Sequence, residues 1–256
     1  MTWREVQAAC QNKPAIAILP LGATEQHGPH MPLATDSIMV EWICCKAAEA
    51  VDGVVVAPVI QYGTSQNHKR FSGTVSLSLD TLKRVIVDVG EALLDHGFDI
   101  LMIVNGHGGN LAAMSAAAHD LREKTGRVVA ALTWPALVRE AWHCLESPVI
   151  WHADESETSL MLYMAPDLVR MDEAQDELPP TVPFFEFTEE ALLTRAIDLG
   201  LPPTHRISRS GTIGEARRAS TDKGGRIVNE AVPNLIQTLQ RLREDGAELI
   251  RWMTEA

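Results

Sequence analysis

Two unbroken apolar runs, Ala15-Ile16-Ala17-Ile18-Leu19-Pro20-Leu21 and Ile100-Leu101-Met102-Ile103-Val104, constrain this chain more than any other feature. Neither alternates apolar with polar residues, so a strand built from either must be covered on both faces. Val54–Ile60 and Val128–Leu132 are runs of the same kind. Between them lie stretches with apolar residues at helical spacing: Ser37–Val51, Asp80–His96 with Gly97 as its stop, and the Ala-rich Asn110–Thr125. Asp36 stands at the N-cap position of the first. Glu157–Met164 and Gly225–Trp252 read as further helices, and Thr74–Leu79 as a short extended piece. Such alternation implies βαβ units, hence an α/β fold with a mostly parallel central sheet and helices on both faces. The 256 residues suffice for a single domain over 1–256. One stretch breaks the pattern. Residues 166–203 are proline-rich and acidic, with Phe184, Phe185 and Phe187 together. They read as an irregular surface connection or as an excursion over the site or a second subunit.

Charge and composition remove several classes of function. A net charge of −12 opposes a nucleic-acid partner, because phosphate binding needs a basic surface. No apolar run approaches the length of a membrane span, and Met1-Thr2-Trp3-Arg4-Glu5 lacks the apolar core of a signal peptide. The four cysteines, Cys10, Cys44, Cys45 and Cys144, form no CxxC pair and no disulfide-dense pattern, which implies a reducing, cytoplasmic setting.

The chemistry-bearing residues gather where proposed strands end. Glu25-Gln26-His27-Gly28-Pro29-His30 follows the first run and leads to Asp36. In an extended segment Glu25 and His27 point to the same side. A carboxylate–imidazole–carboxylate set suits a divalent cation of hard to borderline character, and implies a metal-dependent hydrolase. Ser65 follows the run at Val54–Ile60, and Asn105-Gly106-His107-Gly108-Gly109-Asn110 follows the run at Ile100–Val104. Ligands of open α/β sheets bind outside the C-terminal ends of the strands, so three polar clusters sharing that edge point to one site. The Gly-rich turn at 106–109 lacks the lysine and the glycine spacing of a phosphate loop. Its glycines let the backbone approach a bound ion or substrate, and His107 is the ligand candidate there. His152-Ala153-Asp154-Glu155-Ser156-Glu157 is a third acidic group, in which Asp154 and Glu155 read as a negative first helical turn. Glu157 lies where that helix begins to bury and needs a partner. His68 reads equally as a surface histidine or a substrate contact, and His30 as a local or supporting residue. Trp134, Trp142 and Trp151 could cap a flat substrate, although core packing is the commoner fate.

In order along the chain, these blocks resemble the creatininase (creatinine amidohydrolase) family. The resemblance lies in Leu19-Pro20-Leu21-Gly22 running through Glu25-Gln26-His27-Gly28-Pro29-His30 to Asp36, in Tyr62-Gly63-Thr64-Ser65 with Phe71-Ser72-Gly73-Thr74, and in Asn105–Asn110. It extends to His152-Ala153 with Glu157-Thr158-Ser159, and to Gly211-Thr212-Ile213-Gly214 with Ala219 and Lys223-Gly224. It implies a three-layer sandwich and an amidohydrolase that cleaves a small, non-peptide C–N bond with a metal-activated water. Formamide hydrolysis and peptide trimming are the alternatives within the family, and a non-catalytic binding protein is the alternative outside it. Two divalent ions are implied, Zn, Mn or Fe: one held by Glu25, Asp36 and His107, the other by His27 and the bridging Asp36. Creatininase supplies a further glutamate two residues beyond the third-block histidine. Here that position is Gly109, and Glu157 is the substitute. With Glu157 changed to Gln, a glutamate introduced at 109 would be expected to restore binding of the second ion. His152 is the expected proton donor to the leaving nitrogen, with Glu157 as an alternative proton shuttle, and Ser65, His68 and Gly108 are expected to meet the substrate. Residues 148–151 differ from the Trp-Asp-Gly-Gly before the active-site histidine of creatininase, and Asn67 and Ser72 replace a common Glu and Pro, so creatinine is not the expected substrate. The resemblance further implies a homo-oligomer, often a hexamer.

Overall fold

The computed structural model describes residues 1–181 and 202–254. Its central sheet has the order β2-β1-β3-β4 and every pairing in it is parallel. The strands are β1 (Ile16–Leu21), β2 (Val54–Val56), β3 (Ile100–Asn105) and β4 (Val128–Thr133). β1 and β3 are buried along their whole length, as their unbroken apolar sequence requires. Their pairing runs from Ile16 opposite Ile100 to Leu21 opposite Asn105. That register brings the loop after β1 and the loop after β3 out side by side.

Helices cover both faces. Alternate residues of the two central strands, Ile16, Ile18, Ile100, Met102 and Val104, face α2 (Thr35–Ala48), α5 (Glu155–Met164) and the long C-terminal helix Thr221–Glu244. Their neighbours Ala17, Leu19, Leu21, Leu101 and Ile103 face α3 (Leu79–Asp95) and α4 (Leu111–Thr125). The three layers follow from this period-two division of strands that are apolar throughout.

Several boundaries shift for identifiable reasons. The run at Val54–Ile60 forms a ladder only over Val54–Val56. Pro58 offers no N–H, and Ile60 meets Leu21 as a lone bridge. α3 begins at Leu79 because the Ser78 hydroxyl accepts from the Thr81 amide. Asp36 is not an N-cap. α2 starts at Thr35 after Ala34, so Asp36 lies within the first turn, and its carboxylate goes to two imidazoles instead.

A second, antiparallel sheet was not legible in the sequence. It has the order β5-β7-β6, from β5 (Ile150–His152), β6 (Asp176–Glu177) and β7 (Ile213–Glu215). These strands are two or three residues long, too short to show a periodicity. They carry His152 and the segment from Gly211 to Gly214 to the C-terminal edge of the main sheet. The phenylalanines at 184, 185 and 187 lie outside the described residues.

Candidate metal centre

Four buried groups meet above the C-terminal ends of β1 and β3. His27 Nε2 is 3.2 Å from Asp36 Oδ1, and His107 Nδ1 is 3.2 Å from Asp36 Oδ2. His107 Nε2 lies 3.3 Å from Glu25 Oε2. Asp36 thus faces one imidazole with each carboxylate oxygen. Glu157, in the first turn of α5, comes within 3.7 Å of His27 Nε2. Two helix N-termini, those of α2 and α5, therefore present a first-turn carboxylate to the same spot, where the helix dipoles favour negative charge.

Two further imidazoles extend the cluster. His68 Nε2 and His152 Nδ1 stand 3.6 and 3.7 Å from Glu25 Oε1. His152 packs tilted between His27 and His68, with ring centroids 4.4 and 4.2 Å away and ring planes inclined at 42° and 37°. His68 is 4% exposed, which removes the surface reading of that residue. The sets Glu25–His27–Asp36, Glu25–His68–His152 and His27–His152–Glu157 each bring three donor atoms within 4.8 Å of one another. Such mixed nitrogen and oxygen sets are what a transition-metal dication binds.

The arrangement is costly without a cation. Both Glu25 oxygens and Asp36 Oδ2 are buried and accept no hydrogen bond. An uncompensated buried carboxylate is among the most expensive groups a protein can hold. Burial pushes the Glu25 carboxyl up, against the pull of His107. Burial also raises Glu157, to about 8. Asp36 goes the other way: burial opposes its charge, but the flanking imidazoles His27 and His107 hold it well below the usual carboxylate range. In return, and against their own burial, the carboxylates raise His27 to about 10 and His107 to about 9. A ligating imidazole must be neutral, so a divalent cation would take the place of these protons. The unpartnered oxygens and the donor chemistry fit such an ion. Burial holds His68 and His152 well below their ordinary value, with nearby imidazolium charge adding to it.

Buried amides stitch the loops together. Asn110 accepts from the Thr64 amide at 2.9 Å and donates to the Gly22 carbonyl at 3.0 Å and to Asn105 Oδ1 at 3.2 Å. Asn105 donates to the His107 carbonyl at 2.7 Å. His107 Nε2 lies 3.0 Å from the Thr64 carbonyl, which orients the ring. Sequence reasoning missed Asn105 and Asn110, although they flank the Gly-rich turn, and it missed Gln26, which is 5% exposed between two candidate ligands. Three buried polar residues beside apolar strands were the available signal.

A cavity of about 130 Å³ opens onto the cluster, lined by Glu25, Asp36, His68, His107, Gly108, His152 and Glu157 among others. That is comparable to the roughly 150 Å³ that admits one benzene ring. Trp134, Trp142 and Trp151 all contribute to its wall, together with Ile150. Trp134 is at the same time a core residue. Ser65 lies fully buried away from that wall, its hydroxyl unpartnered. His30 also lies behind the cluster, 2.8 Å from the Thr158 hydroxyl of α5. Asp154 caps α5, accepting from the Ser156 and Glu157 amides at 2.8 and 3.1 Å. Glu155 is not simply part of a negative first turn. It accepts from the Glu146 and Ser147 amides and pairs with Lys223.

An α/β sandwich with a buried carboxylate–imidazole centre at the carboxyl edge of its sheet defines the class of metal-dependent hydrolases. The family model for creatinine amidohydrolase matches residues 1–239, and the chain belongs to the creatininase family, whose members are metal-dependent amide hydrolases. The creatinine amidohydrolase of Pseudomonas putida is 29% identical, with 94% of each chain covered. The mycofactocin precursor peptide peptidase of Mycolicibacterium smegmatis is 32% identical over 92% of this chain and 88% of that protein. A manganese form of creatininase superposes with a TM-score of 0.78 at 29% identity, covering 95% of this chain and 96% of that one, and a Zn–Zn form does equally well.

Gly109 corrects one expectation. A Cβ there would collide with the Thr64 carbonyl oxygen and lie 2.5 Å from His107 Nε2. A glutamate at 109 cannot restore the family's carboxylate on this backbone, because it would first displace His107. Gly109→Ala alone should lower the affinity for Zn or Mn by more than the roughly 10- to 100-fold typical of losing an orienting partner, because it displaces the candidate ligand His107 itself. Metal content of the purified variant after dialysis checks this.

Proposed function

We propose that this chain hydrolyses a small amide C–N bond at a two-cation centre, with Glu25, Asp36 and His107 holding one ion and His27, Asp36 and Glu157 the other. The unpartnered, buried carboxylates of Glu25 and Asp36 between two imidazoles carry the reading. Asp36 would be the ligand shared by both ions, since each of its oxygens faces one of the two candidate ligand imidazoles. Glu157 takes the place of the family glutamate that Gly109 cannot supply. When bound, the cations polarise the scissile carbonyl and acidify a water.

The chain's own groups handle the protons. His152, neutral and at the cavity wall, takes one from the attacking water. The carbonyl carbon gains the oxygen, the C–N bond breaks, and His152 returns the proton to the departing nitrogen. The tryptophan-lined cavity suits a compact, flat acyl or ring group. Ile150 and Trp151 line it at the two positions where the creatininase motif has Gly-Gly, and their added bulk argues against creatinine itself. His68 and Gly108 border the same space and contact the substrate.

A hydrolysis screen of the Zn-, Mn- or Fe-loaded protein over creatinine, lactams, hydantoin-like rings, formamides and short peptides tests the reading. Turnover of a small amide is expected, with creatinine poor. No hydrolysis of any amide by metal-replete protein would sink it. Asp36→Ala should lose both ions and Glu25→Ala only one, by metal analysis of the purified variants. Equal loss of one ion in both would remove the bridge.

Ion binding should expel protons. His27 near 10, His107 near 9 and Glu157 near 8 all carry a proton at pH 7 in the protein alone. Each must be lost to ligate, so affinity should rise with pH through about 8–10 and fall below it. Calorimetry in buffers of different ionisation enthalpy counts the released protons, and a count near zero at pH 7 would contradict the ligand set.

We also infer a cytoplasmic homo-oligomer. All four cysteines are free, which suits a reducing compartment. Among the described residues no helix is long and apolar enough to cross a membrane. Trp3, Tyr62, Val75, Leu79 and Trp252 are large apolar side chains left exposed, as expected of a surface that meets other subunits. Light scattering should give a mass several times 28.0 kDa, and a monomer would refute the assembly.

A further inference from the structure

Between the two candidate ligands Glu25 and His27, the Gln26 side chain turns away from the cluster and reaches the far side of two imidazoles. Its amide nitrogen lies 2.8 Å from His68 Nδ1, 2.8 Å from His152 Nε2 and 3.2 Å from the Gly211 carbonyl. The amide cannot be turned over. Its oxygen accepts from the Gly28 amide at 3.0 Å, and a flipped amide would set N–H against N–H and oxygen against the Gly211 oxygen. Gly211, at φ +93°, is required for this seat, because a Cβ there would strike the Gln26 amide.

Two amide protons face three possible acceptors, and a second contact decides between them. His152 Nε2 also sits 2.7 Å from the backbone carbonyl of Gln26, a distance that needs a hydrogen between two atoms otherwise presenting lone pairs. His152 Nε2 therefore carries the proton and donates it to that carbonyl, because a carbonyl oxygen can only accept. Its 2.8 Å approach to the Gln26 amide nitrogen is then a contact of two donors whose hydrogens point elsewhere, not a hydrogen bond. The Gln26 amide is left to serve the Gly211 carbonyl and His68 Nδ1. The Thr204 hydroxyl, 3.1 Å from His68 Nδ1, can donate to the same bare nitrogen. On the cluster side, each ring then shows the opposite atom. His68 turns Nε2 to Glu25 Oε1, and His152 turns Nδ1 to that same oxygen.

We propose that Gln26 is a positioning residue that sets the two imidazoles in opposed roles, His68 presenting an Nε2–H donor to the site and His152 a bare Nδ1 acceptor. The consequence for turnover rests on the hydrolase reading above: His152 is ready to take the first proton, and His68 offers its Nε2–H to the oxygen of the scissile carbonyl. The tautomers themselves do not depend on that reading.

Nitrogen NMR of histidine-labelled, metal-loaded protein tests this directly. In both His68 and His152, Nδ1 should show a pyridine-type and Nε2 a pyrrole-type shift. A pyrrole-type Nδ1 on His68 would overturn the proposal. Gln26→Glu replaces the donor with an acceptor of the same shape, so His68 should switch to Nδ1–H. Its kcat should fall roughly a hundredfold, the scale of lost acid–base positioning, with KM and metal content little changed. Retention of the native tautomers and kcat in that variant would refute the role. Thr204→Val should keep the His68 tautomer; a switch there would transfer the role to Thr204 and refute the assignment to Gln26. Should the screen reveal no amidase activity, the nitrogen shifts of the native protein still decide the tautomers.

Discussion

The burial of two carboxylates, Glu25 and Asp36, at the carboxyl end of the sheet governs much of what surrounds them. Charge placed where water cannot reach must be met by opposite charge or by donors. Glu25 has neither in the form of a hydrogen bond, and Asp36 has only imidazoles. The neighbouring histidines, the helix N-termini of α2 and α5, and the fit to a dication all answer that one electrostatic demand. A centre of this kind is conditional: protons hold it together in the protein alone, and cations replace them.

Rigidity comes from the layer behind the cluster. Asn105 and Asn110 lock the three strand-end loops to each other, so His107 cannot swing without breaking buried hydrogen bonds. Gln26 does the same for His68 through its side-chain amide and for His152 through its backbone carbonyl, and its amide also reaches the distant Gly211. Glu155, held by two backbone amides and Lys223, anchors the loop that leads to Ile150 and Trp151 in the cavity wall. Positions that touch no substrate thus set the geometry of those that do, which is the usual division between ligands and their support.

Local backbone decides which family features can be carried over. At 109 the chain passes so close to Thr64 and His107 that only glycine fits. The first turn of α5 nevertheless brings a carboxylate, that of Glu157, to within 3.7 Å of His27 Nε2.

Much of this was legible in the chain itself. Apolar runs such as Ile100–Val104 can only be strands covered on both faces, so the parallel sheet and its two helical layers follow from residue order and the hydrophobic effect. Glu25, His27 and His107 were legible as candidates because polar groups so concentrated at strand ends have no packing reason to be there. The short strands β5, β6 and β7 left no period to read, and the meeting of Gln26 with His68, His152 and Gly211 joins residues as far apart in the chain as 26 and 211. Asp36 reads as a cap from its neighbours, yet tertiary packing starts the helix two residues earlier, at Thr35, and gives its carboxylate to His27 and His107. Periodicity and residue type therefore determined the layers and the inventory of reactive groups. Which groups touch, which nitrogen each ring presents and which carboxylate reaches the centre were decided only by long-range packing, because those depend on distances that local sequence does not encode.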